Sequence, residues 1–192
     1  MTAVDMDPGF RLIGDPTIAQ IDAVCRLRVE AWRGQAQVFA GVTEWRDRWD
    51  DVAQHRLLID PDGQIAGALR FSLHDNLVDL PDGGVWAAGV GRLPRPLAYF
   101  SRMFVVPAWR GRGLSITLDR ASLAEPQRQG AASVVCMTGS VGRNRERAKR
   151  MKDFGWTLIG QASAQNPEAM FHATHLPLVF AARFDGQPVS AA

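Results

Sequence analysis

Apolar residues near the start of the chain recur at helical spacing. Between Pro16 and Gln35 they fall at Ile18, Ile21, Val24, Cys25, Leu27, Val29 and Trp32, behind a proline suited to a first helical turn. This stretch predicts an amphipathic helix. Trp45 and Trp49, four apart after Thr43 as a candidate N-cap, predict a short second helix. The period then shortens: "HRLLID" and "QIAGALRFSLHD" flank "PDG", a turn between two strand-like runs, and predict a hairpin. "LAYFSRMFVV" is almost continuously apolar, as a strand buried on both faces would be. Leu114, Leu118, Ala121 and Ala124 return to helical spacing until Pro126 and Gly130 intervene. Beyond them, "ASVVCM" predicts a second buried strand, "NRERAKRMKDF" a basic helix closed by Gly155, and "WTLIG" and "LPLVFAARF" closing strands. The stretch from Asn76 to Pro96 keeps no period. It is either a loop that shapes a substrate entrance or a surface connection.

Composition narrows the class. With no internal repeat, a chain of 192 residues and 46% hydrophobic content reads as a single α/β domain over residues 1–192. A formal charge of +2, with acids and bases interleaved, gives no polyanion-binding surface, so nucleic acid is not an expected partner. Cys25 and Cys136 stand far apart without a partner motif, which suggests neither a disulfide framework nor a zinc site and fits a reducing compartment. The N-terminus lacks a basic flank followed by an apolar core, and no run of about 18 apolar residues occurs. No membrane partner and a cytoplasmic location are therefore expected. His172 and His175 form H-x-x-H on a loop or strand, where the spacing does not put both rings on one helical face, so no metal site is expected. The number of copies is not fixed by sequence and leaves a homodimer open.

The chemistry concentrates in "VVPAWRGRGLS", residues 105 to 115, where a strand ends, two glycines turn the chain and a helix begins. The first turn of a helix leaves backbone N–H groups without intrahelical partners at the positive end of the macrodipole, so such a turn takes anions. It is not a P-loop, because Gly113 is followed by Leu114 and Ser115 instead of Lys and Ser or Thr. Nor is it a dinucleotide fingerprint, because Ile116 stands where the third glycine belongs. A tight turn with no ligand is the remaining alternative.

"RGRGLS" resembles the R/Q-x-x-G-x-G/A motif of the GNAT superfamily of acyl-CoA-dependent N-acyltransferases, with Arg110 and Gly113 matching and Ser115 in the last small position. Residues 98 to 160 carry the resemblance, through "RMFVVPAWRGRG", "ASVVCM" and "DFGW". It implies a mixed, mostly antiparallel sheet whose two central parallel strands splay apart, flanked by helices. It also implies a co-substrate, acetyl-CoA or a longer acyl-CoA, and a primary amine acceptor of unknown identity. Met103, Phe104 and Val105 would meet the pantetheine arm, and backbone N–H groups of Arg110, Gly111, Arg112, Gly113, Leu114 and Ser115 would hold the diphosphate. In that family a tyrosine four residues before the closing glycine often protonates the departing thiolate. Here that position is Met151, which has no proton to give.

Tyr99, the only tyrosine in the chain, is then the candidate acid, and by strand alternation it shares a face with Ser101, Met103 and Val105. Ser101 is the second catalytic candidate. A core tyrosine is the alternative reading of Tyr99. The layout from "RLRVEAWRG" to "YFSRMFVV" also resembles acyl-homoserine-lactone synthases, which draw on acyl carrier protein and whose central strand carries Glu-x-Ser-Arg-Phe. Ser101 and Arg102 match, Met103 replaces the Phe and Tyr99 replaces the Glu. A carrier-protein-dependent synthase is the alternative enzyme, and a silent CoA-binding module the alternative outside catalysis. Arg70 and Arg102 read as structural arginines paired with Asp47 or Asp50, because buried arginines need partners. His74, beside Asp75 at a strand end, is a further base candidate. The basic helix carries Arg143, Arg147 and Arg150 on one face, suited to a phosphate or an acidic carrier protein, or simply to solvent.

Overall fold

The computed structural model of the 192-residue chain describes residues 9–33, 37–38, 40–81, 85–86, 88–139, 142–164, 171–172 and 175–189. Within them the order is β1 (Arg11–Ile13), α1 (Ile18–Arg33), β2 (Gln37–Val38), β3 (Gln54–Ile59), β4 (Ile65–His74), β5 (Leu97–Val105), α2 (Leu114–Arg128), β6 (Ser133–Thr138), α3 (Gly142–Asp153), β7 (Thr157–Gln161), β8 (Phe171–His172) and β9 (Leu178–Arg183). Seven strands form one sheet in the order β1-β3-β4-β5-β6-β9-β7, and β2 pairs with β8 separately. Every pairing in the large sheet is antiparallel except that of β5 with β6.

The hairpin of β3 and β4 forms where "PDG" places it. Asp60 closes its turn, its side chain accepting from the N–H groups of Asp62 and Gln64 at 2.9 and 2.8 Å. Two helices expected from the pattern come out differently. The stretch around Trp45 and Trp49 gives only a 3₁₀ turn over Arg48–Asp50, capped by Asp47 and not Thr43, because the Asp47 and Asp50 carboxylates answer each other's backbone N–H groups in a capping box. Helix α2 runs through Pro126 to Arg128, since a proline so near the end disturbs only the last turn. The aperiodic stretch before β5 holds two further 3₁₀ turns, Leu77–Asp79 and Ala88–Arg92.

The sheet carries cores on both faces. On one, Phe71, Ala98, Phe100, Val134, Cys136 and Phe180 pack under Leu114, Leu118 and Ala121 of α2 and Ala148 and Met151 of α3. On the other, Val24 and Ala31 of α1 cover Leu57, Ala68 and Phe104, while Leu80, Val90 and Leu93 cover Leu97, Tyr99, Val135 and Val179. Burying such side chains, at roughly 1.5–3 kcal/mol each, is what fixes the layers.

One irregularity shapes the centre. Strand β5 pairs Ser101 with Arg70 and Phe104 with Ala68, so Arg102 and Met103 together oppose Leu69. This β-bulge places Arg102 in the left-handed region, at φ +55°. The extra residue inverts the side-chain alternation. Ala98 and Phe100 before it, and Met103 and Val105 after it, all pack toward α2 and α3, whereas Tyr99 packs on the opposite face. The expectation that Tyr99 shares a face with Met103 and Val105 is corrected accordingly.

Candidate active site

The two parallel strands part at the centre of the molecule. Strand β5 pairs with β6 only from Leu97 opposite Ser133 to Phe100 opposite Cys136. Beyond that point β5 continues with β4 as far as Val105, and β6 continues with β9 as far as Thr138. The bulge bends β5 away just past the last shared pair, and Gly67 lets β4 follow it, since a Cβ there would stand 2.7 Å from the Phe104 carbonyl oxygen.

The gap opens into a cleft of about 310 Å³. Met103, Phe104, Val105, Arg110, Gly111, Gly113, Leu114 and Ser115 line it, which brings together the expected donor-binding residues apart from Arg112. Arg112 instead lies with its guanidinium 4.6 Å above the Trp109 ring. The turn is built for close backbone approach. Gly111 and Gly113 both have positive φ, +81° and +76°, and a Cβ on either would meet no atom within 4 Å, so the site of approach is open. Gly113 is the N-cap of α2 and its carbonyl accepts the first helical bond, from Ile116 at 2.8 Å. The Arg110 side chain donates to the carbonyls of Val105, at 3.2 Å, and Ala31, and so ties the turn to β5 and α1.

Four residues in the cleft were not singled out from sequence as donor-binding: Trp32, Trp109, Asn144 and Glu146. Arg147 and Arg150, noted on one face of the basic helix, complete its wall. Both arginines turn on Asp119 of α2, a fully buried carboxylate. Arg147 Nε donates to it at 2.8 Å, and Arg150 Nη2 lies 3.5 Å from its second oxygen. In the sequence Asp119 is one of several charged residues on α2, and only its burial beside Leu118 shows that it needs a cation from a neighbouring element. Burial pushes the Cys136 thiol at the end of the shared pairing up to about 12, against the pull of Arg147, so it stays protonated.

Tyr99 and Ser101 sit beside the parting of the strands on the α1 side. Tyr99 is 2% exposed and meets the Trp86 ring edge-on at 4.8 Å. The Ser101 hydroxyl accepts from Arg70 Nε at 3.2 Å. Arg70 belongs to a buried ionic network that matches the expected pairings. Arg28 donates to both oxygens of Asp50 at 2.9 and 3.1 Å, and Arg70 lies 2.6 Å from Asp47 and 2.9 Å from Asp50. Arg102 donates to Asp47 at 2.8 Å and stacks 4.7 Å from the Trp45 ring. Burial alone would raise both carboxyls, but Arg28 holds Asp50, and Arg70 and Arg102 hold Asp47, below the usual carboxylate range. The Arg102 ion pair is what sustains the left-handed residue in the bulge, a conformation that otherwise costs about 1–2 kcal/mol.

His55 Nε2 donates to the Asp50 carbonyl at 3.0 Å, and His74 Nε2 lies 2.6 Å from the Ser72 hydroxyl. Burial pushes both imidazoles below their ordinary value. Met151 is fully buried in the core. The His172 side chain lies outside the described residues, and His175 is exposed. Among the described residues, no group of three or more His, Cys, Asp or Glu stands ready to hold a metal ion. Among them, too, no helix is long and apolar enough to cross a membrane.

A mixed sheet with one parallel pair that splays over a glycine turn, flanked by helices on both faces, defines the fold of the GNAT N-acetyltransferases. Solved structures agree with that assignment. FeeM, an N-acyl amino acid synthase from uncultured soil microbes, aligns over 92% of this chain and 91% of its own, with a TM-score of 0.68 at 12% identity. Arabidopsis thaliana Naa50, in complex with the bisubstrate analogue CoA-Ac-MVNAL, aligns over 92% of this chain and 99% of its own, at 0.61 and 16%. A GCN5-related N-acetyltransferase from Kribbella flavida aligns over 93% and 100%, at 0.60 and 16%. At these identities the likeness is one of fold. No family model matches the sequence, and a search of curated proteins finds no match.

Proposed function

We propose that the protein is an N-acyltransferase that moves an acyl group, acetyl in the first instance, from acyl-CoA to a primary amine by direct attack within a ternary complex. The observation that carries this reading is the parting of β5 and β6 into a cleft that ends on the 110–115 turn. Exposed strand backbone at Met103 to Val105 suits the pantetheine amides, and the open N-terminus of α2 suits the diphosphate. The bound thioester supplies an activated acyl group.

The chain's own residues then have to present the amine neutral and return a proton to sulfur. Tyr99 and Ser101 stand on the face away from α2 and α3, buried beside the last shared pair and outside the residues that line the cleft. Tyr99 is the acid assigned to the departing thiolate. Ser101, fixed by Arg70, orients the acceptor or the acyl carbonyl. The protein acts in the cytoplasm on this reading, as one domain or as a homodimer.

A second reading is favoured by the buried Arg28, Asp50, Arg70, Asp47 and Arg102 network, which occupies the segments that resemble acyl-homoserine-lactone synthases. There the donor is an acyl carrier protein, whose pantetheine arm would enter the same cleft. Thiol release from acetyl-, octanoyl- and palmitoyl-CoA, measured with a panel of primary amines, tests the first reading. Amine-dependent release with any of them supports it. Release from an acylated carrier protein alone transfers the assignment to the second reading, and donor binding without release from either leaves a silent module.

A further inference from the structure

The cleft wall formed by α3 carries more positive charge than its own fold consumes. Asp119 is the single carboxylate that Arg147 and Arg150 share, and Glu146, the acid of the same wall, is paired with Lys149 at 3.0 Å, so the cluster keeps a net positive charge. Arg147 is well placed as the structural member: its Nε bond to Asp119 is short, and its guanidinium lies 5.6 Å from the Phe100 ring where β5 and β6 separate. Arg150 is held more loosely. Its Nη2 donates to Ser115 Oγ at 3.2 Å and only approaches Asp119 at 3.5 Å. Its Nε is buried without a hydrogen-bond partner. A guanidinium has five donors in a fixed fork, and leaving one buried and unsatisfied costs free energy that an anionic acceptor at that position would recover. Ser115 is the second residue of α2, so this guanidinium sits against the same helix end as the two turn glycines.

We propose that Arg150, anchored to the turn through Ser115 and aligned by Asp119, is a specificity-determining residue that takes a phosphate oxygen of the donor's diphosphate. This rests on the acyl-donor reading above and assigns a side chain to a task the turn backbone would otherwise carry alone. Asp119 is a positioning residue: it touches Arg150, not the donor. The expected consequence is selectivity for donors that bring a diphosphate over those that bring only the pantetheine thioester.

The test is calorimetric titration of the wild-type protein, Arg150→Gln and Arg150→Lys with three donors: acetyl-CoA, acetyl-dephospho-CoA, which keeps the diphosphate but lacks the 3′-phosphate, and S-acetylpantetheine, which has no phosphate. Arg150 is partly exposed, so both variants are expected to fold. Arg150→Gln should weaken acetyl-CoA and acetyl-dephospho-CoA alike by about 10-fold, leave S-acetylpantetheine unchanged, and flatten the salt dependence of the first two. Arg150→Lys should recover part of the loss. A loss confined to acetyl-CoA would place Arg150 at the 3′-phosphate and overturn the proposal, as would equal losses for all three donors or none for any. If the wild type bound none of the donors, the acyl-donor reading itself would fall. Wild-type binding with an unaffected variant removes this proposal alone.

Discussion

At the scale of single residues, the turn separates backbone chemistry from side-chain chemistry. Gly113 is indispensable because its φ of +76° is a conformation an L residue resists, not because a Cβ would collide with the protein. Gly113→Val should therefore weaken acetyl-CoA binding by at least ~10-fold with the fold kept, whereas Arg112→Ala, whose guanidinium lies over Trp109, should cost less and lose its effect in high salt. Titration at two salt concentrations checks both, and a Gly113→Val protein that bound as the wild type would reduce the turn to a connection. Tyr99→Phe should lower turnover by about 10²-fold, the usual scale of a lost general acid, with donor affinity unchanged. Unaltered turnover would return Tyr99 to the core. The turn glycines were legible in the chain because a motif marks them; rarity marked Tyr99, but the face it occupies was misjudged because the bulge inverts the alternation of β5. Asp119 was not legible, since an acid inside a helix gains meaning only when α3 brings Arg147 and Arg150 to it.

At the scale of elements, periodicity located the strands and helices well where one face is buried, and failed where polar groups decide. The turn at Arg48–Asp50 follows from two carboxylates capping each other, which a spacing of tryptophans does not reveal. The bulge in β5 was hidden for the same kind of reason. An apolar strand buried on both faces shows no alternation whose break could be seen, and Arg102 reads as an ordinary strand residue until Asp47 is folded against it. The network that supports the bulge is under tension between burial and pairing. Asp50→Asn would leave Arg28 and Arg70 short of compensating charge and should destabilise by roughly 3 kcal/mol or more in urea denaturation; a change within a few tenths would mean the arginines find other acceptors.

Acid should act first through histidine. His55 and His74 are held below the ordinary imidazole value of 6.5, by burial foremost. As pH falls through that value the unfolded chain takes up protons that the folded protein refuses, so stability declines. Asp47 and Asp50, with depressed carboxyls, keep their contribution above the ordinary carboxylate range and lose it only at lower pH. Between pH 7.5 and 5.5 the melting temperature should drop, and it should drop less in the double variant His55→Gln, His74→Gln. An equal drop in both proteins would assign the acid sensitivity to other groups.

At the scale of the whole molecule, the sheet is a device for separating two neighbouring strands without breaking the cores on either side. The order of elements and the turn were readable from sequence, because strand, glycine turn and helix each leave a local pattern. The depth of the cleft was not, because Trp32 comes from α1 and Asn144 and Arg150 from α3, two elements remote in sequence from the turn and from each other. The most direct measurement of the central claim, that the gap between β5 and β6 receives an acyl-CoA, is amide hydrogen exchange with and without saturating acetyl-CoA. Protection should rise at residues 103–105 and 110–115, together with a gain in stability of about 2.7 kcal/mol at a hundredfold excess over Kd. Exchange unchanged in those two segments at millimolar acetyl-CoA would contradict it.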